Sequence, residues 1–142
     1  MKLLLDTNVL SELLRANPDA NVTAWFASQH AEALFVSAVT QAEMLFGAAL
    51  LPAGRRRAQL EQQLHAMFDE DFARRVLPFD SDAARTYAGV VSGRRQAGRP
   101  ISQFDAQIAA IALAQRAGLV TRNVDDFEEC GLTLVNPWAG LT

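Results

Sequence analysis

Asp6 closes a wholly apolar run, Leu3-Leu4-Leu5, and is followed at once by the polar pair Thr7-Asn8. An acid at the end of a buried segment is poorly placed for solvation and is not explained as a surface charge, so it is the first candidate for chemistry. Glu43 and Asp105 are two further acids set among apolar residues, each near the start of a helix-like pattern. Carboxylates that converge from separate positions repel one another and raise each other's pKa unless something positive neutralises them. Magnesium meets that need with a few carboxylates, waters and substrate phosphate oxygens in octahedral geometry, the equipment of a phosphodiester-cleaving site. The spacing leaves one ion or two open.

Each acid also has a structural reading. Thr40-Gln41-Ala42-Glu43 and Ser102-Gln103-Phe104-Asp105 both match the capping-box pattern, in which the acid satisfies a helix N-terminus. Asp80, before Ser81-Asp82, reads as an N-cap. Other ligand types are scarce: Cys130 is the only cysteine, and His30 and His65 lie far apart. Zinc is disfavoured on that count, and any metal is expected to be a hard cation held by oxygen.

Short apolar runs alternate with helical periodicity, which reads as α/β. Strands are expected at Lys2 to Leu5, Ala33 to Val36, Val76 to Phe79, Leu119 to Arg122 and Leu132 to Val135. Helices are expected from about Val9 to Leu14, from Asn21, from Thr40 to Leu51, from Arg55 to Phe72, from Ser81 to Gln96 and from Gln103 to Ala117. Strands joined by helices of this length need parallel crossovers, giving a central sheet covered on both faces. Ligands of open α/β sheets gather beyond the carboxyl ends of the strands, and the residues there are polar: Asp6-Thr7-Asn8, Ser37, Asp80, and Asn123 with Asp125 and Asp126.

Composition bounds the rest. The 142 residues are 50% hydrophobic, enough for one domain with its own core. One cysteine makes no internal disulfide, no apolar run reaches membrane-spanning length, and an acid arrives too early for a signal peptide, so a cytoplasmic protein is expected. A net charge of −3 argues against a general nucleic-acid coat. Of the thirteen basic residues only Lys2 is lysine; arginines bunch at 55–57, 74–75 and 94–95 with Arg99. These read either as phosphate contacts or as solvated helix faces.

The motifs now match a family. The chain resembles the PIN-domain nucleases, most closely the VapC-type toxins of bacterial toxin–antitoxin pairs, including the FitB-like branch. Leu3 to Leu10 is similar to the family's first motif, with Asp6 in the metal-binding position. Ser37 to Gly47 looks like the second and places Glu43. Gly98-Arg99-Pro100-Ile101, then Asp105 and Ile108-Ala109-Ala110, looks like the third and places Asp105. Val120-Thr121-Arg122-Asn123 with Asp126-Phe127 looks like the fourth, and Asn136-Pro137-Trp138 resembles the family's ending. The fourth acidic position departs from the pattern, since members carry aspartate where this chain has Asn123. Asn123 and Asp126 therefore stand as alternatives, with Asp125 third.

The resemblance implies a PIN-like three-layer α/β fold with about five parallel strands, spanning residues 1–142 as a single nuclease domain. It implies a ribonuclease using Asp6, Glu43, Asp105 and Asp126, with Asp6, Glu43, Asp105 and Asn123 as the metal-binding set and Thr7, Asn8, Ser37 and Thr40 as supporting polar groups. Mg2+ is the implied cofactor, with Mn2+ as a substitute. RNA is the implied substrate, and the partners are a second copy of the chain and a cognate antitoxin, through which alone the chain would meet DNA.

Rival readings fail on particular residues. A phosphatase of the haloacid-dehalogenase type needs a second aspartate where Asn8 stands, and a response-regulator receiver needs a lysine near the acids, whereas Lys2 is the only one. No Walker loop or dinucleotide Gly-rich turn occurs. A PIN-fold binding or assembly protein that does not cut is the alternative of a different class, and metal-dependent cleavage separates the two.

Overall fold

Leu4 and Leu5 are adjacent and both fully buried, which is possible only because successive strand residues face opposite sides of a sheet covered on both. In the computed structural model, which describes residues 1–140, they lie in β1 (Leu3–Leu5), the middle strand of five. The others are β2 (Leu34–Ser37), β3 (Val76–Leu77), β4 (Gly118–Val120) and β5 (Leu134–Val135). All neighbours are parallel, in the order β3-β2-β1-β4-β5. Leu3 is in register with Leu34 on one side and with Gly118 on the other.

Six helices cover the sheet: α1 (Thr7–Leu13), α2 (Ala20–Ala27), α3 (Ala38–Ala49), α4 (Arg55–Ala66), α5 (Ser81–Gln96) and α6 (Gln103–Ala114). Two cores result, one per face. Leu4 and Leu119 pack with Ile108 and Ile111 of α6, Val90 of α5 and Phe127. Leu5, Val36 and Val120 pack with Val9 and Leu10 of α1, Trp25 of α2, Leu64 of α4, Met67 and Phe72. The expected three-layer α/β architecture with a parallel five-stranded sheet is present.

Several boundaries differ from the sequence expectation, each for a local reason. α1 starts at Thr7 rather than Val9, because the Asp6 carboxylate accepts from the Thr7 N–H and caps the helix. α3 starts at Ala38 rather than Thr40, because Ser37 is its cap. The periodic segment from Arg55 breaks after Ala66 into a wider π turn, Met67–Asp71, in which Met67 and Phe68 are buried, with Phe72 buried just beyond it. α6 ends at Ala114, not Ala117, since Ala117 already turns toward β4.

Arginine explains two of the turns. Arg94, only 4% exposed, donates to the carbonyls of Arg99 (2.6 Å), Asp126 (2.7 Å) and Glu128 (3.0 Å). Gly98, at φ 73, reverses the chain after α5 and brings the Arg99 carbonyl within reach. Arg75 donates to the carbonyls of Ala31, Leu34 and Asp71 and stacks on Phe72, tying the entry of β2 to the turn before β3.

Candidate active site

Strand order reverses direction between β1 and β4: β2 and β3 build outward from one side of β1, β4 and β5 from the other. Crevices form where successive crossovers diverge, so the carboxyl ends of β1 and β4 are where a site belongs. Asp6 and Thr121 are the residues there. The Asp6 N–H donates to the Val120 carbonyl at 2.9 Å, which extends the ladder and locks the Asp6 backbone against β4. Its Oδ1 accepts from the Thr7 N–H at 2.8 Å and its Oδ2 from the Thr121 hydroxyl at 2.8 Å.

Asp6 is 5% exposed, and its pKa is raised to about 6. Burial is the main cause, with the charges of Asp105 and Glu43 adding to it; the bonds from Thr121 and Thr7 pull the other way.

Glu43 reaches the same place from α3. The Thr7 hydroxyl donates to Glu43 Oε1 at 3.1 Å and lies 2.9 Å from the Thr40 hydroxyl. Thr7 has one hydroxyl proton and gives it to Glu43, so Thr40 is the donor in that second contact. Ser37, fully buried, accepts from the Thr40 N–H at 3.0 Å. Glu43 is thus no capping residue: the α3 cap is made by Ser37, and Glu43 is held instead by a hydroxyl of α1. Ser37 supports this chain from beneath and does not line the cleft.

Asp105 enters from α6, half-buried. Ser102 caps α6 by accepting from the Asp105 N–H at 3.2 Å. Burial raises the Asp105 pKa and the negative charge of Asp126 adds to this, against the Ser102 hydroxyl and the Arg94 charge.

Asp6, Glu43, Asp105, Thr7, Asn8 and Asn123 line one cleft of about 510 Å³. Ser11, Glu12, Arg15, Arg122 and Trp138 complete its walls. Of the alternatives for the fourth position, Asn123 lines the cleft, while Asp126 and Asp125 do not. Asp126 lies close enough to act on Asp105 through its charge, and Asp125 offers its carbonyl to Arg99 at 3.0 Å. Asn8 bridges the two strand ends: its Nδ2 lies 3.5 Å from Asp6 Oδ2 and 3.4 Å from Thr121 Oγ1.

Sequence reasoning missed three contributors. Thr121, fully buried, donates to Asp6 and accepts from the Asn123 N–H at 3.1 Å; its signal was present, as it follows Leu119-Val120 just as Asp6 follows Leu4-Leu5. Glu12, 6% exposed, accepts from the Asp19 N–H at 2.9 Å and pairs with Arg15 at 3.3 Å. Arg94 read either as a phosphate contact or as part of a solvated helix face, and nothing in the local pattern marks it as buried.

Every candidate donor in the cleft is an oxygen, which suits magnesium or manganese and not zinc. Among the described residues, no three acidic, histidine or cysteine side chains cluster closely enough to cage an ion alone. Magnesium is commonly held by one or two carboxylates, with waters completing its octahedron.

A parallel sheet with three acids gathered at its switch point occurs in several α/β families, and the sequence decides among them. The PIN domain matches residues 3–131, and the chain belongs to the PIN-domain family. Within it, the chain is 44% identical to the VapC ribonuclease Y4jK of Sinorhizobium fredii, over 96% of this chain and 97% of that protein. It is 38% identical to the toxin FitB of Neisseria gonorrhoeae, over 96% and 98%. The fold matches the structure of FitAB bound to the IR36 DNA fragment with a TM-score of 0.91 at 38% identity, covering 96% of this chain and 95% of that one.

Proposed function

We propose that this protein is a magnesium-dependent endoribonuclease, with manganese as a substitute, and the toxin of a toxin–antitoxin pair. The observation that carries the reading is Asp6: a buried carboxylate with its pKa raised to about 6, sharing a cleft with Glu43 and Asp105, is a group waiting for a cation. The ribonuclease and toxin names of the Sinorhizobium and Neisseria relatives support the activity and the role.

Asp6, Glu43, Asp105 and Asn123 would hold the ion, some of them through its waters. When bound, it lowers the pKa of a water and offsets charge on the leaving oxygen of the phosphodiester. Thr7 and Thr121 fix the two Asp6 oxygens, so that the carboxylate presents one orientation. Thr7, backed by Thr40, does the same for Glu43. Asn123 adds a neutral oxygen, which contributes a ligand without adding to the repulsion. Asp126 acts from outside the cleft by raising the proton affinity of Asp105.

The remaining partners follow the same reading, with residues 1–142 acting as one nuclease domain. Leu45 and Phe46 of α3 and Leu50, its C-cap, stand 43%, 64% and 67% exposed, an apolar face suited to a second copy of the chain. An antitoxin would restrain the enzyme by laying a cation near Asp6, Glu43 and Asp105. With a net charge of −3, the chain would reach DNA only through that antitoxin. Among the described residues no helix is long and apolar enough to cross a membrane; the RNA substrate places the work in the cytoplasm.

Purified protein incubated with end-labelled RNA tests this. Cleavage that requires Mg2+ or Mn2+, stops in EDTA and disappears in Asp6→Asn supports the reading. A folded protein that binds but never cuts would instead be a PIN-fold assembly protein.

A further inference from the structure

Two arginines line the cleft. Arg15 is paired to Glu12 at 3.3 Å. Arg122 has no carboxylate within ion-pair distance among the described residues, although the cleft that it lines holds Asp6, Glu43 and Asp105. Its guanidinium lies over the Trp138 ring instead, 5.2 Å from the centroid. The main chain at both residues is hydrogen-bonded. The Arg122 main-chain N–H donates at 3.4 Å to Oδ1 of Asn8, in the first turn of α1 just after Asp6. The Trp138 N–H donates to Asn136 Oδ1 at 3.0 Å, and its carbonyl accepts from Asn21 of α2 at 2.9 Å.

A guanidinium stacked on an indole is held in a plane while its N–H edge stays open, and that edge matches two oxygens of a phosphate. An exposed arginine laid over an aromatic ring beside an acidic centre, yet off the acids, is arranged for an anion from outside. We propose that Arg122, pre-organised by Trp138, is the subsite that grips a phosphate of the RNA next to the bond that is cut. Arg122 is the binding residue and Trp138 its positioning residue. The subsite rests on the nuclease reading: it supplies a cation that, among the described residues, has no carboxylate partner, in a cleft whose three acids otherwise repel a polyanion.

The test uses the full chain carrying Asp6→Asn, in EDTA, with a short fluorescein-labelled single-stranded RNA followed by anisotropy over a range of salt. Arg122→Ala weakens binding roughly ten-fold and lowers the salt slope by about 0.7, the loss of one phosphate contact. Arg122→Lys and Trp138→Ala fall between, and Trp138→Phe, which keeps an aromatic platform, stays near the parent. In the otherwise intact enzyme, Arg122→Ala raises KM with little change in kcat. Unchanged RNA affinity and salt slope in a folded Arg122→Ala protein overturns the subsite, and so does a loss confined to capture of the protein encoded beside this one, which makes Arg122 a protein contact. If the enzyme with intact Asp6 still cleaves RNA in those cases, the nuclease reading stands without the subsite; if it neither cleaves nor binds RNA, both fall.

Discussion

The Thr121 hydroxyl donates to Oδ2 of Asp6 at 2.8 Å, joining residues 115 positions apart in the chain. This bond holds the ionised form of a carboxylate that burial otherwise pushes toward its neutral form. Thr121→Val removes it and raises the Asp6 pKa further above 6. Apparent Mg2+ affinity near neutral pH then falls roughly ten-fold, as for other residues that orient ligands from behind. Thr121→Ser restores it. Titration of cleavage rate against Mg2+ at several pH values reads the effect, and equal curves for Thr121→Val and the parent would refute it.

Asp6 sets the pH dependence of metal-free stability. Its folded pKa, about 6, exceeds its ordinary value of 3.8, so the folded state binds the proton more tightly than the unfolded state. The resulting stability is complete below about pH 4 and is lost as pH rises through about pH 6. Asp6→Asn escapes that loss. In EDTA near pH 7.5 the variant should gain on the order of 1–2 kcal/mol, while near pH 4 the difference should shrink toward zero. Urea unfolding at both pH values measures this, and a variant less stable than the parent near pH 7.5 would count against the repulsion argument.

Chelation separates the metals. EDTA should abolish cleavage and excess Mg2+ or Mn2+ restore it, whereas a zinc-selective chelator should leave the rate unchanged, because every donor in the cleft is an oxygen. Full activity in EDTA would remove the metal from the mechanism.

Arg94 bears on stability and, through the segment it holds, on Asn123. Arg94→Ala removes three charge-assisted bonds to the part-buried carbonyls of Arg99, Asp126 and Glu128, at a cost of about 3 kcal/mol. Arg94→Lys recovers little, since one ammonium cannot span acceptors arranged around a planar fork. Thermal melting of the two variants is the check; an unchanged melting temperature in Arg94→Ala would contradict the role.

The apolar face of α3 predicts a homodimer that one charge disrupts. Phe46→Asp, at a position 64% exposed, should leave the fold intact and shift the mass in light scattering from dimer to monomer. A parent protein that is already monomeric at micromolar concentration would refute the assignment.

The sheet was legible because its strands are short apolar runs with polar residues at their carboxyl ends, and that pattern follows from burial on both faces. Asp6 was legible for the same reason. Glu43 and Asp105 were ambiguous, since a capping box and a site ligand look alike until the cap is located: Ser37, three residues before the expected cap Thr40, frees Glu43, while Ser102 does cap α6 through the Asp105 N–H. The choice among Asn123, Asp125 and Asp126 depended on how a 3-10 turn, Val124–Phe127, swings successive side chains, and periodicity carries no information about that. Arg94 escaped notice because a buried cation satisfied by carbonyls leaves no acidic partner in the sequence.

The adjacency of β1 and β4 gives biosynthesis a direction. The first strand leaves the ribosome with Asp6 at its tip, but the edge that receives it, together with Thr121 and Asn123, is made more than a hundred residues later. A nascent or prematurely released chain ending before Gly118 owns the three acids without the strand that aligns them. Truncated products of an interrupted message should therefore be harmless in a growth assay. On the proposed nuclease reading, cleavage becomes possible only once the segment from Gly118 to Asn123 has been made.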